Sequence, residues 1–191
     1  MKDIKSYLTQ IKENSDYQYL EHIPVQFLTE KKLENFLKAR FEEKNNAIFL
    51  NSKPYHLVIE PTNACNLGCP LCPTGLGASS RKKGVMKFDL FKKIIDETHE
   101  TTLELFFQNW GEPSLVSNLP EMIHYASERG IWTSLSTNFS RKYKNGFLEK
   151  LIESGLGLLH IDVDGTTQEV YEKYRRKGDL SLVLANTRKC V

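Results

Sequence analysis

Three of the four cysteines in this 191-residue chain fall in one short run, Cys65-Asn66-Leu67-Gly68-Cys69-Pro70-Leu71-Cys72, directly after the apolar stretch Tyr55 to Pro61. Thiolates are soft ligands that select iron–sulfur clusters, zinc or cuprous copper. Structural zinc takes four protein ligands, usually with cysteines in pairs, and the one other cysteine, Cys190, stands far along the chain. A [4Fe-4S] cluster can take three thiolates and leave one iron open to a ligand that is not protein. Inert thiols would sit among core residues, whereas Asn66, Gly68, Pro70 and Pro73 are loop formers. Disulfides are disfavoured by the short spacings and by a start, Met1-Lys2-Asp3-Ile4-Lys5, that leads into no apolar signal region. A reducing cytoplasm is the expected location.

The elements that must hold this loop are legible as periodicity. Tyr7, Leu8 and Ile11, and then Leu33, Phe36, Leu37 and Phe41, recur at helical spacing. Residues 1–52 are therefore expected to be a helical N-terminal extension packed on a neighbouring element, with the boundary at the break Asn51-Ser52-Lys53-Pro54. Over 53–191 strand-like and helix-like segments alternate. Strands are expected at His56–Ile59, Leu103–Gln108, Ile131–Ser136 and Leu158–Val163. Helices are expected around Phe88–Ile95, from Asn118 to a stop at Gly130, from Phe147 to a stop at Gly155, and over Tyr171–Lys177 and Leu182–Ala185. This alternation predicts an α/β fold with a parallel sheet and right-handed connections. Ligands in such sheets sit beyond the carboxyl ends of the strands.

The polar motifs fall there. Gln108-Asn109-Trp110-Gly111-Glu112-Pro113 follows the second strand; Gly111 allows close backbone approach, and the Glu112 carboxylate could accept from an ammonium group, although a plain turn explains the segment equally well. Ser136 and Asn138 end the third strand, where turn chemistry and ligand contact are both open readings. In the fourth, period two points His160, Asp162 and Asp164 the same way, and His160 is read as a satisfied buried imidazole. Arg175 and Arg176 follow; exposed arginines on a helix are the alternative to an anion clamp.

The cysteine spacing in the setting Ile59-Glu60-Pro61-Thr62-Asn63-Ala64-Cys65-Asn66-Leu67 resembles the cluster loop of the radical S-adenosylmethionine (SAM) superfamily, in the branch whose members often carry a C-terminal SPASM or twitch domain. The resemblance implies that Cys65, Cys69 and Cys72 bind a [4Fe-4S] cluster whose open iron is chelated by SAM. The reduced cluster then cleaves SAM to a 5′-deoxyadenosyl radical, which starts chemistry on an unidentified substrate, a peptide or a small metabolite. It also implies an electron donor such as flavodoxin or ferredoxin as partner. Gly111 and Glu112 match the stretch that contacts the SAM amino group, with Trp110 replacing the first glycine of that pattern. Ser136 and Asn138 match a motif near ribose and carboxylate. Asp162 stands where serine is common, which favours the ribose hydroxyls, and Arg175 matches the arginine that pairs with the SAM carboxylate. Leu71 replaces a frequent aromatic residue, leaving adenine to aliphatic packing.

The resemblance implies a partial (β/α) barrel, with about four βα units present of the family's six, and an edge strand left open at the C-terminal side. A net charge of +2 with mixed signs argues against nucleic acid, and no segment suits a membrane. Two alternatives stay open: a non-catalytic iron–sulfur or zinc module, and a truncated inactive product.

Overall fold

The computed structural model describes residues 4–13, 17–78, 80–144 and 146–190. Two helices come first, α1 (Ile4–Glu13) and α2 (Glu30–Lys44). Four strand–helix units follow: β1 (His56–Ile59), α3 (Phe88–Thr98), β2 (Glu104–Phe107), α4 (Leu119–Ser127), β3 (Trp132–Thr137), α5 (Phe147–Glu153) and β4 (Leu158–Ile161) with α6 (Gln168–Tyr174) and α7 (Leu180–Lys189). The strands form one parallel sheet in the order β1-β2-β3-β4, as expected of a partial barrel.

The register explains which residues meet. Ile59, Leu105, Phe107 and Leu135 point to the helices and form the main core with Phe91, Met122 and Leu151. The opposite face carries His56, Val58, Glu104, Phe106, Ser134, Ser136, Leu158 and His160, because successive strand residues alternate sides. Val58 is 52% exposed there. Contrary to the sequence expectation, His160 is exposed rather than buried; its ring meets Phe106 edge-on at 5.4 Å on the open face.

The N-terminal helices make a second core against the strand starts, with Ile11, Leu33 and Phe36 packed with Leu103, Tyr55 and Trp132. Phe36 meets Tyr55 edge-on at 5.0 Å, and Phe27 meets Trp132 at 5.2 Å. Phe41, expected on the buried stripe, is 69% exposed because the apolar stripe of α2 ends one turn earlier.

Gly130 (φ +70°) and Gly155 (φ +79°) close α4 and α5, the left-handed positions that the sequence marked. α6 stops at Tyr174 rather than Lys177; Arg175 is its C-cap and Lys177 turns back at φ +69°. Asp179 then caps α7 by accepting from Ser181 N (2.9 Å) and Leu182 N (3.2 Å). No helix among the described residues is long and apolar enough to cross a membrane.

Candidate functional site

The cysteine loop leaves β1 and is closed at its base by its own return. Thr62 forms an antiparallel bridge with Val85, Met86 N donates to Pro61 O (2.7 Å), and Asn63 both donates to Lys82 O (3.0 Å) and accepts from Gly84 N (2.8 Å). Within the loop Gly75 lies so close to Cys69 that a Cβ there would stand 2.4 Å from the Cys69 carbonyl oxygen. All four cysteines are free thiols. Burial pushes the Cys65 and Cys69 thiols up; each also feels Cys72, and Arg175 pulls Cys69 the other way. Leu67 N (3.4 Å) and Asn138 Nδ2 (3.7 Å) both donate to Cys65 Sγ. Cys190 packs instead against the main core, near Glu149 of α5.

The turn after β2 is docked on the stem of this loop. Glu60 Oε1 accepts from Trp110 N (3.0 Å) and Gly111 N (3.1 Å), its Oε2 accepts from Arg81, and Glu112 N donates to Ala64 O (2.8 Å). Gly111 is required by this crossing, since a Cβ would lie 1.7 Å from the Thr62 carbonyl oxygen. Sequence reasoning passed over Glu60; its signal was a carboxylate on the residue directly after an apolar strand.

Glu112 points inward and is 3% exposed. Its Oε1 accepts from Ser114 N (3.0 Å) and Thr137 Oγ1 (2.6 Å), and its Oε2 from Asn138 N (2.8 Å). Burial nevertheless raises its pKa. Placed this way, the carboxylate ties the β2 turn to the end of β3, in contrast to the ligand-facing position expected of it. Asn138 is also buried, donating to Cys65 Sγ and Asn66 Oδ1 (3.1 Å) and accepting from Ser140 N (2.9 Å). Ser136 Oγ is 3.4 Å from both Asp162 oxygens.

Arg175, Asp162 and Asp164 converge beside Cys69. Arg175 Nη2 is 3.6 Å from Asp162 Oδ2, and Nε donates to Asp164 Oδ2. Burial raises the Asp162 pKa, with Arg175 opposing it. The guanidinium is thus engaged by two protein carboxylates. Trp110 and Leu71 lie exposed at the rim, at 46% and 80%.

The structure gathers the nine candidate residues at the carboxyl ends of the strands in two adjoining groups, Cys65, Gly111, Glu112 and Asn138 in one and Cys69, Ser136, Asp162 and Arg175 in the other, with Cys72 Sγ 4.0 Å from Trp110 O. Among the described residues no three His, Cys, Asp or Glu side chains stand at the spacing of a single metal ion. A cubane asks for wider spacing, because each thiolate binds its own iron. The donor set fits such a cluster: three thiols on one loop, with amide and guanidinium donors directed at two of the sulfurs.

The family model described as Radical SAM superfamily matches residues 59–191. A 7,8-dihydro-6-hydroxymethylpterin dimethyltransferase of Methanocaldococcus jannaschii is 31% identical over 141 residues, covering 69% of this chain and 27% of that protein. Mycofactocin maturase MftC of Mycolicibacterium smegmatis is 30% identical over 133 residues, covering 69% of this chain and 33% of its own. The chain thus spans about a third or less of the length of these curated relatives. Among solved structures, native anSMEcpe with bound AdoMet superposes with a TM-score of 0.58 at 22% identity, over 72% of this chain and 40% of that one. Streptococcus suis SuiB bound to its precursor peptide SuiA gives 0.58 at 17% identity, over 96% and 43%. At these identities the two structures speak to the fold.

Proposed function

The chain belongs to the Radical SAM superfamily, and from that premise we propose that residues 53–191 are a SAM-binding catalytic core whose Cys65, Cys69 and Cys72 hold one [4Fe-4S] cluster, with residues 1–52 closing the floor of the sheet. When bound, the cluster supplies one electron for the reductive cleavage of SAM. The observation that carries this reading is the convergence of a three-thiol loop with a guanidinium and two carboxylates at one sheet end.

The chain's own residues then divide the work. Asn138 and Leu67 N donate to Cys65 and stabilise charge on sulfur. Arg175 can exchange its Asp162 and Asp164 partners for the SAM carboxylate as a bidentate clamp. Asp162, released from the guanidinium, can accept from ribose hydroxyls beside Ser136. Gly111 and Glu112 act by shaping: the glycine permits the loop crossing, and the carboxylate fixes Asn138. The substrate is proposed as a peptide or small metabolite, in keeping with relatives named as a PqqA peptide cyclase and a pterin dimethyltransferase.

Anaerobic reconstitution with iron and sulfide, followed by electron paramagnetic resonance with and without SAM, tests this. A reduced-cluster signal that SAM alters, lost on alanine replacement of any one of Cys65, Cys69 or Cys72 and retained in Cys190→Ala, is expected. Bound zinc in place of iron, or a signal indifferent to SAM, would overturn it.

A further inference from the structure

The loop after β3 carries three cations in four residues, Arg141, Lys142 and Lys144, and with the turn after β2 it encloses a cavity of about 320 Å³. None of the nine candidate residues lines it. A chain of hydrogen bonds runs from Cys65 through Asn138 and Glu112 and reaches the cavity wall at Ser114. Arg141 is held from two sides. Asn186 Nδ2 of α7 donates to its carbonyl oxygen (2.9 Å), and its own Nη1 donates to Ser114 O (3.0 Å). The rest of the guanidinium fork has no protein acceptor among the described residues. Tyr143 makes a fixed wall: its hydroxyl donates to Ser114 Oγ (2.8 Å), burial pushes the phenol up so that it keeps this proton, and its ring stacks on Phe147 at 4.9 Å.

Every charged group lining the cavity is a cation, and among the described residues none of the three forms an ion pair. The acids nearby are turned elsewhere. Glu112 lies buried behind Ser114 and accepts from Thr137 and Asn138. Asp179, which feels Lys142, caps α7. Glu149 stands beside Gly146 at the start of α5, and Glu121 lines a separate groove with Phe88 and His124.

We propose that this cavity binds a phosphate group, carried by a small monoester or present as the free ion. A cleft lined by one sign of charge concentrates the opposite sign. Three cations without a carboxylate match the charge of about −2 that a phosphate monoester carries near neutral pH better than the single charge of a carboxylate. The guanidinium supplies a fork for two phosphate oxygens, the ammonium groups supply point charges, and the Ser117 hydroxyl adds a donor. Leu115 and Phe147 offer apolar surface to the carbon part of an ester. No metal or cluster enters this argument, so it stands apart from the function proposed above.

The test uses the full chain in phosphate-free buffer, titrated calorimetrically with inorganic phosphate, phenyl phosphate and benzoate. Both phosphates are expected to bind, and benzoate about tenfold more weakly or not at all. Phenyl phosphate binding more tightly than inorganic phosphate assigns the site to an ester; any other order assigns it to the free ion. Arg141→Gln and Lys142→Gln/Lys144→Gln should each weaken phosphate binding about tenfold or more. The control Lys38→Gln/Lys173→Gln, which removes exposed lysines of α2 and α6, should stay within about twofold. Thermal midpoints report folding. Arg141→Gln gives up the bond to Ser114 O, whereas the lysine pair makes no hydrogen bond in the described structure and keeps the test decisive if the arginine variant unfolds. Absence of phosphate binding, benzoate binding as tight as that of phenyl phosphate, or equal weakening in the lysine-pair and control variants overturns the inference, with or without a cluster on the cysteines.

Discussion

Two glutamates, one opening β2 and one in the turn that follows it, make the two ends of the sheet comparable. Glu104, at the floor, is 9% exposed, and its Oε2 lies 3.1 Å from His22 Nε2 and 3.3 Å from His56 Nδ1, while its Oε1 accepts from Ser134 Oγ at 2.6 Å. Burial works against ionisation there, yet these partners outweigh it and hold the carboxyl down at about 2. Glu112, at the mouth, has neutral donors alone and deeper burial, and its pKa goes up. Asp162 and the Cys65 and Cys69 thiols at the mouth shift the same way, each chiefly by burial. The floor pairs its buried carboxylate within the protein, whereas the buried ammonium of Lys32 of α2 has a carbonyl partner, Gly130 O, and is lowered by burial to about 8. The mouth is left with charge that its own groups do not fully compensate. The two ends are thereby distinguished by the direction in which burial and partners move their buried carboxyls.

The sharpest way to break this comparison is Glu112→Ala, which strands the buried donors of Ser114, Thr137 and Asn138 and should cost about 3–4 kcal/mol in denaturant unfolding. Glu112→Gln, which keeps the volume and one acceptor, should lose about half of that; equal losses would mean that the network is packing rather than hydrogen bonding. Gly111→Ala forces the loops apart at the Thr62 carbonyl and should cost about 3 kcal/mol, with the Cys65 environment disturbed in cysteine-alkylation kinetics. A wild-type alkylation rate would show that the crossing does not position the loop.

Glu104→Gln is the counterpart at the floor. The folded carboxyl lies below its ordinary value of 4.5, so its stabilisation is present above that pH and is lost as pH falls towards about 2. Wild type should shed roughly 2 kcal/mol across this window, after discounting for solvent screening, and the variant should shed correspondingly less. Glu112 has the opposite sign: with its folded pKa raised, its contribution is full below 4.5 and declines as pH rises through the folded value. Parallel pH profiles for Glu104→Gln and Glu112→Gln would therefore refute the contrast. The smallest effect is expected from Lys177→Gly, a gain of about 0.5 kcal/mol from relief of the left-handed backbone.

The chain's local chemistry determined a good deal by itself. Soft ligands at short spacing marked the cysteine loop, period-two and period-3.6 patterns placed all four strands and their order of alternation with helices, and Gly130 and Gly155 marked two helix ends. These are readable because each depends on neighbours a few residues away. What Glu112, Arg175 and His160 face was decided only in three dimensions. Glu112 became an internal tie because β3 brings Thr137 and Asn138 beside it, 25 and 26 residues on in sequence, and His160 became exposed because nothing in the described residues covers that face of β4. Likewise the pairing of Glu104 with His22, 82 residues apart, leaves no local pattern. Burial and electrostatic partners are sums over the whole fold, so a residue's type states what chemistry it can do, and tertiary packing decides whether that chemistry is spent inside the protein or offered to a ligand.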